Sequence, residues 1–310
     1  MYDRIAGNVR KSWLLIIAFF VLTGAVGYFF GYFTGTGFWG LGAAMVFSIL
    51  MTWGSWFASD KVALAMSRAR PADEKLFAQL HNIVEGLSLA AGMPKPRVYV
   101  VEDIAPNAFA TGRNPEHAAI AVTTGLVLKM DRSELEGVVA HELAHVKNRD
   151  TLVMTLAVTL VGVIVLLADW MLRALWWGAD EARGKAFAPL AVLGVVLLLT
   201  APLFAQLLQF AISRRREFLA DADAVFLTRY PDGLIGALEK LREDSTVVRS
   251  ASRATAHLWI EQPNARHAHE GGARTRKSGA WLNRLFDTHP PLEERISALR
   301  SLSPQPAATR

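Results

Sequence analysis

Five consecutive residues, His141-Glu142-Leu143-Ala144-His145, carry the strongest chemical signal in this 310-residue chain. On a helix, two histidines at i and i+4 lie on one face, one turn apart. Both imidazoles then reach one tetrahedral metal ion, and a histidine and carboxylate donor set favours zinc. Glu142 projects beside them, where it can take a proton from water at the open metal position. Zinc lowers the pKa of that water towards roughly 7 and so supplies a nucleophile at neutral pH. The plain alternative is a helix with two surface histidines.

A hydrolytic zinc site also wants a third protein ligand. Glu217, in the run Arg216-Glu217-Phe218-Leu219-Ala220-Asp221, offers one. Asp221 follows one turn later and could orient a ligand histidine through its second ring nitrogen. Taken alone, Glu217 and Asp221 read better as a solvated helix face next to a basic cluster. The elements that would have to position them decide the matter.

Those elements read as membrane hairpins; the alternative makes the third and fourth apolar runs a buried soluble hairpin. Hydrophobic residues make up 52% of the chain, charged residues 20%, and the mean hydropathy is +0.25. Residues 12–59, 151–168 and 186–213 contain no Asp, Glu, Lys, Arg or His. A span needs about 20 apolar residues, so the first run is long enough for two and the others for one each. The first span is expected at Trp13–Phe33 and the second at Phe38–Phe57, broken by Gly35-Thr36-Gly37. A secretory signal would have a shorter apolar core and a polar mature chain. Arg4, Arg10 and Lys11 precede the first span, and Lys61, Arg68, Arg70 and Lys75 follow the second. The positive-inside rule puts both flanks in the cytoplasm. The third span covers 151–172 and the fourth 186–213, with Arg214, Arg215 and Arg216 directly behind it. The net charge of +5 is therefore read as topology, and no nucleic-acid partner is expected. With no cysteine there is no disulfide and no thiol ligand or nucleophile.

Four parts follow: a transmembrane hairpin at 1–59, a cytoplasmic segment at 60–150, a second hairpin at 151–213 and a cytoplasmic segment at 214–310. His145 lies six residues before the third span and Glu217 four after the fourth. An antiparallel hairpin returns the chain to the same height, so ligands 72 residues apart become neighbours just outside the bilayer.

In the soluble parts, the apolar spacing of Leu76, Leu80, Ile83, Val84, Leu87 and Leu89 predicts a helix over 71–92. Strands are expected at Arg97–Val101 and Ala118–Thr123, with a loop over 105–117. Ser133 and Glu136 read as a capping box that opens the motif helix. Helices are also expected at 214–228, 232–243 and 291–301, and a mobile polar loop at 264–280. His267 and His269 fall in that loop and read as non-ligands. The fold class is α+β, mainly α, with a small sheet built on four transmembrane helices.

The chain resembles the HtpX/Ste24-type integral-membrane zinc metalloproteases, an M48-like gluzincin family. The resemblance runs through the N-terminal hairpin, Pro106-Asn107-Ala108-Phe109-Ala110-Thr111-Gly112, Ala118–Gly125, His141–Asp150, Ser213–Asp221 and Thr288-His289-Pro290-Pro291-Leu292-Glu293-Glu294-Arg295. It implies a gluzincin-like protease domain, one zinc ion held by His141, His145 and Glu217, Glu142 as general base, and Asp221 as a supporting acid. It also implies that Ala118–Thr123, with Ala118, Ile120 and Val122, is the sheet edge that pairs with an extended substrate. Asn107 borders that cleft, either binding substrate backbone or bracing its loop. His289 is implied as an oxyanion donor; the alternative is a surface histidine at a helix start.

The leading function is a membrane-anchored endopeptidase in quality control and stress response, in the bacterial inner membrane with its site facing the cytoplasm. Its partners would be unfolded or membrane-protein polypeptides, the lipid bilayer and other quality-control proteases. A Ste24-type processing enzyme would need more spans. Intramembrane cleavage would put the motif inside a span, whereas Glu134, Glu136, Lys147 and Arg149 surround it. A scaffold or chaperone-like protein with a structural metal would have no use for Glu142.

Overall fold

The computed structural model describes residues 2–154, 156, 214–248, 258–260 and 290–302. Two long helices open the chain, α1 (Tyr2–Thr34) and α2 (Phe38–Met66). Gly35 and Gly37 take φ values of +74° and +56°, so the chain reverses within three residues at little steric cost. The helices touch closely beside this turn. A Cβ on Gly31 would lie 2.0 Å from the Gly37 carbonyl oxygen, and one on Gly40 2.5 Å from that of Gly27. Away from the seam the surface is apolar, with Trp13, Trp39 and Trp53 exposed. Ala6–Phe29 and Phe38–Ala58, with mean hydropathies of 2.0 and 1.5, are long and apolar enough to cross a membrane. Both helices outrun the expected spans, because charge ends an apolar run but Lys and Arg continue a helix well. Apart from residues 151–154 and 156, the third and fourth runs lie outside the described residues.

The soluble body centres on a four-stranded sheet. Its strands are β1 (Arg70–Pro71), β2 (Arg97–Val101), β3 (Ala108–Thr111) and β4 (Ala119–Thr123), in the order β1-β2-β4-β3. β2 and β4 are parallel, while β3 runs antiparallel to β4. Successive β4 side chains point to opposite faces. Ile120 and Val122 enter a core with α3 (Ala78–Ala91), the short α4 (Thr124–Lys129), α5 (Arg132–Lys147), α7 (Pro231–Glu243) and α8 (Leu292–Leu302). Ala119 and Ala121 face Ala63 and Leu64 at the foot of α2, together with Met154 and Trp259. The sheet is thus sandwiched between the helical body and the base of the hairpin.

Several expectations are corrected. The 105–117 segment holds β3, a strand of four residues between Pro106 and Gly112, too short to show an alternating pattern. Consequently β4 is an inner strand and not the sheet edge. Ala118, Ile120 and Val122 are all buried, and β3 takes the outer position. The helix expected over 71–92 begins only at Ala78, and Leu76 and Leu89 of its supposed apolar face are exposed. It stops at Gly92 in the left-handed conformation, two residues before Pro94. The capping box of α5 is Asp131/Glu134, not Ser133/Glu136. Asp131 Oδ1 accepts from Glu134 N at 2.8 Å, and Glu134 Oε2 accepts from Asp131 N at 2.8 Å. Both frames satisfy the same sequence pattern, and Asp is as good an N-cap as Ser.

Candidate active site

α5 is the central helix of the body, with 12 of its 16 residues buried, which is why it shows no amphipathic stripe. It packs on α6 (Arg214–Thr228) and α7. His141 and His145 project from one face, as the i, i+4 spacing requires, with their Nε2 atoms 3.2 Å apart. Glu217, in the first turn of α6, brings its carboxylate oxygens to 3.7 Å from His141 Nε2 and 3.5 Å from His145 Nε2. One donor atom from each of the three residues lies within 4.8 Å of the others, and all three residues are buried. The spacing between the two ring nitrogens suits a tetrahedral ion, since bonds of about 2.0–2.1 Å place two ligands roughly 3.3 Å apart.

Each imidazole is held from behind by a carboxylate. Asp221 Oδ1 is 2.9 Å from His141 Nδ1, and Asp150 Oδ2 is 3.1 Å from His145 Nδ1. With the Nδ1 atoms engaged, both Nε2 atoms turn toward Glu217. This is how metal-binding histidines are ordinarily oriented, so the donor set and its supports fit a zinc-type ion. Glu142 is buried beside the ligands. Glu142, His141 and His145 line one small cavity with Ala110, Thr151, Met154, Leu258 and Ile260.

The electrostatics differ between the two histidines. Burial, the charge of Arg295 and that of His145 together outweigh Asp221 and hold His141 down to about 4. Burial also opposes a charge on His145, but the Asp150 hydrogen bond and the charges of Glu217, Asp150 and Glu142 push it up to about 9. Asp221 is held down to about 2: burial works against its ionisation, and Arg295 and His141 more than compensate.

Three supports, Asp150 and Arg295 buried and Arg216 partly buried, carried no assigned role in the sequence. Asp150 holds His145, Arg216 donates to Asp150 at 3.2 Å, and Arg295 grips Asp221. Arg295 Nε donates to Asp221 Oδ2 at 2.9 Å and Nη2 to Oδ1 at 2.6 Å, a bidentate pair. A signal for Arg295 did exist. Ile296 and Leu299, with the partly buried Leu292, form the inward stripe of α8, and Arg295 stands inside it.

Asn107 is fully buried. Its Oδ1 accepts from Ala108 N at 3.0 Å, and its backbone pairs with Thr123. These bonds brace the loop ahead of β3. His289, with His267 and His269, lies outside the described residues. On the outer edge of β3, Ile260 N donates to Ala108 O at 2.9 Å, and Trp259 packs edge-on against Phe109 with ring centroids 4.7 Å apart.

The family model for peptidase family M48 matches residues 74–303, which takes in every ligand and support named above. The chain belongs to peptidase family M48. Among its M48 relatives is a protease HtpX homologue of Thermoanaerobacter pseudethanolicus, 44% identical over 308 residues, covering 98% of each chain. Another is a protease HtpX homologue of Streptococcus thermophilus, 40% identical over 312 residues, covering 97% of this chain and 100% of the relative. The crystal structure of S. mikatae Ste24p has a similar fold, with a TM-score of 0.50 at 18% identity, covering 96% of this chain and 67% of that one. This M48 chain is an HtpX-like metalloprotease, and His141, His145 and Glu217 are its candidate metal donors.

Proposed function

We propose that the chain is a membrane-anchored zinc endopeptidase that cleaves misfolded or damaged membrane proteins on the cytoplasmic side of the bacterial inner membrane. The observation that carries this reading is the convergence of His141, His145 and Glu217 beside the buried Glu142. When bound, zinc supplies a Lewis acid and makes water nucleophilic near neutral pH. Glu142 takes the proton from the attacking water and hands it to the departing amide nitrogen. Asp221 and Asp150 keep the two imidazoles turned toward the ion. His289 donates a hydrogen bond to the developing oxyanion, on the family resemblance.

An extended substrate would pair with the outer edge of β3 by strand addition. Ile260 already takes the Ala108 carbonyl there, so the incoming peptide displaces it. Membrane anchoring is supported by the two apolar helices, and the cytoplasmic orientation by the basic residues at both outer flanks of the hairpin.

The test is cleavage of an unfolded model protein by the detergent-solubilised chain and its Glu142→Gln variant, with zinc added and then chelated. Cleavage that needs both zinc and Glu142 is expected, with Glu142→Gln retaining zinc. Equal cleavage by the variant would overturn the assignment of the base.

A further inference from the structure

Of the two carboxylates behind the metal ligands, Asp221 is held by Arg295 of the soluble body, whereas Asp150 is held both from the soluble body and from α1. Asp150 Oδ2 faces His145 Nδ1, and Oδ1 accepts from Arg216 Nη1 at 3.2 Å. That same Oδ1 also accepts from Asn8 Nδ2 at 2.7 Å. Asn8 belongs to α1, 142 residues away in sequence. The second hydrogen of its amide goes to the Asn148 carbonyl at 2.8 Å, at the C-terminal end of α5. Asn8, Asp150 and His145 are all buried, at 5%, 3% and 5% exposure. Further along α1, Ile16 packs with Leu152 and Leu156 just beyond Asp150, and Phe20 lies against them. The first membrane helix is therefore docked on the segment that leaves the motif helix.

The chemistry of this contact is specific. A buried amide is costly unless both its donors find partners, and here both do. Asn8 neutralises no charge, so Asp150 keeps its carboxylate for His145 while its rotation is fixed at Oδ1. An apolar side chain at position 8 would serve helix packing equally well but would take the Asn8 hydrogen bond away from that oxygen and leave it to Arg216.

We propose that Asn8 is a positioning residue of the metal centre. It holds Asp150, and through Asp150 the His145 ring, so that α1 is part of the catalytic architecture as well as an anchor. This rests on the metal-site reading above. It also separates from a purely structural role, in which Asn8 would only cap the α5 carbonyl: that role moves stability without moving metal affinity through Asp150.

The experiment is a double-mutant cycle on the full-length chain in detergent. The zinc dissociation constant is read by chelator competition, and the metal-free melting temperature is recorded beside it. Partners that orient a metal ligand are worth about 10–100-fold in affinity. Asp150→Ala should weaken zinc binding toward the upper end of that range, and Asn8→Ala by about tenfold, at the lower end. In the Asp150→Ala background, Asn8→Ala should cost nothing further. If Asn8→Ala does not yield folded protein, Asn8→Ser, too short to reach Asp150, replaces it in the same cycle. A change under twofold for the Asn8 variant, or the same loss with Asp150 present and absent, overturns the proposal and leaves the peptidase reading intact. A wild-type chain that binds no zinc overturns both.

Discussion

His141 and His145 sit one turn apart on one helix and yet differ in charge before any metal arrives. With His145 pushed up to about 9 and His141 held down to about 4, His145 is the ring of the two that holds a proton at pH 7. A histidine must lose its proton to bind a metal. Zinc binding at pH 7 should therefore release about one proton, and zinc affinity should rise with pH until His145 titrates. Calorimetry in buffers of different ionisation enthalpy measures the number, and zero protons would contradict the assignment. The Arg295–Asp221 pair belongs to the same scale. Both groups are buried, and removing one partner strands a charge, which typically costs about 3–5 kcal/mol. Arg295→Met should lower the melting temperature strongly and weaken zinc binding, because Asp221 then loses its grip on His141. Unchanged zinc affinity in a folded Arg295→Met protein would show that Asp221 needs no such support.

At the scale of elements, α5 reaches its central position through close contacts with α7. A Cβ on Gly137 would meet Leu234 N at 2.6 Å and Leu234 Cα at 2.8 Å. These are backbone atoms, so no rotamer change relieves the clash. Gly→Ala in a helix interior usually gains up to about 1 kcal/mol, whereas overpacking costs about 1–3 kcal/mol. The net sign for Gly137→Ala should be destabilising, read as a lowered melting temperature; a stabilised variant would mean α7 yields freely. Asp131→Ala removes the cap of the same helix and should cost about 1 kcal/mol, without altering zinc affinity, since Asp131 lies ten residues before His141. The periodic apolar spacing made α3 legible from Leu80 onward, and α6, α7 and α8 appeared within a residue or two of their expected limits. β3 did not, because four residues show no period and their strand character comes from pairing with β4.

For the whole molecule, the membrane hairpin can be tested with the chain's own composition. With no native cysteine, a single introduced one reports its side of the membrane without background. Thr36→Cys, in the turn between α1 and α2, should react with an impermeant thiol reagent added outside intact cells. Lys75→Cys should react only after the cells are opened. The reverse pattern would place the metal site outside the cytoplasm. Zinc is also expected to hold the body together globally, since its donors come from α5 and α6. A ligand at 100 times its dissociation constant stabilises by about 2.7 kcal/mol, so chelation should lower the melting temperature of the wild type and leave His145→Ala unchanged.

Sequence alone determined the donor types, because helical spacing puts His141 and His145 on one face regardless of what surrounds them. It also determined the apolar hairpin, because bilayer thickness sets a length that a run without charges can be measured against. Glu217 was reachable only through a topological argument spanning 72 residues. What tertiary structure alone decided were the supports: Asp150 behind His145, Arg295 behind Asp221, Asn8 behind Asp150, and β3 in place of β4 at the sheet edge. A hydrogen bond between Asn8 and Asp150 leaves no local trace in either stretch of chain. It depends on how separate elements dock, and that is settled by the packing of their side chains in three dimensions.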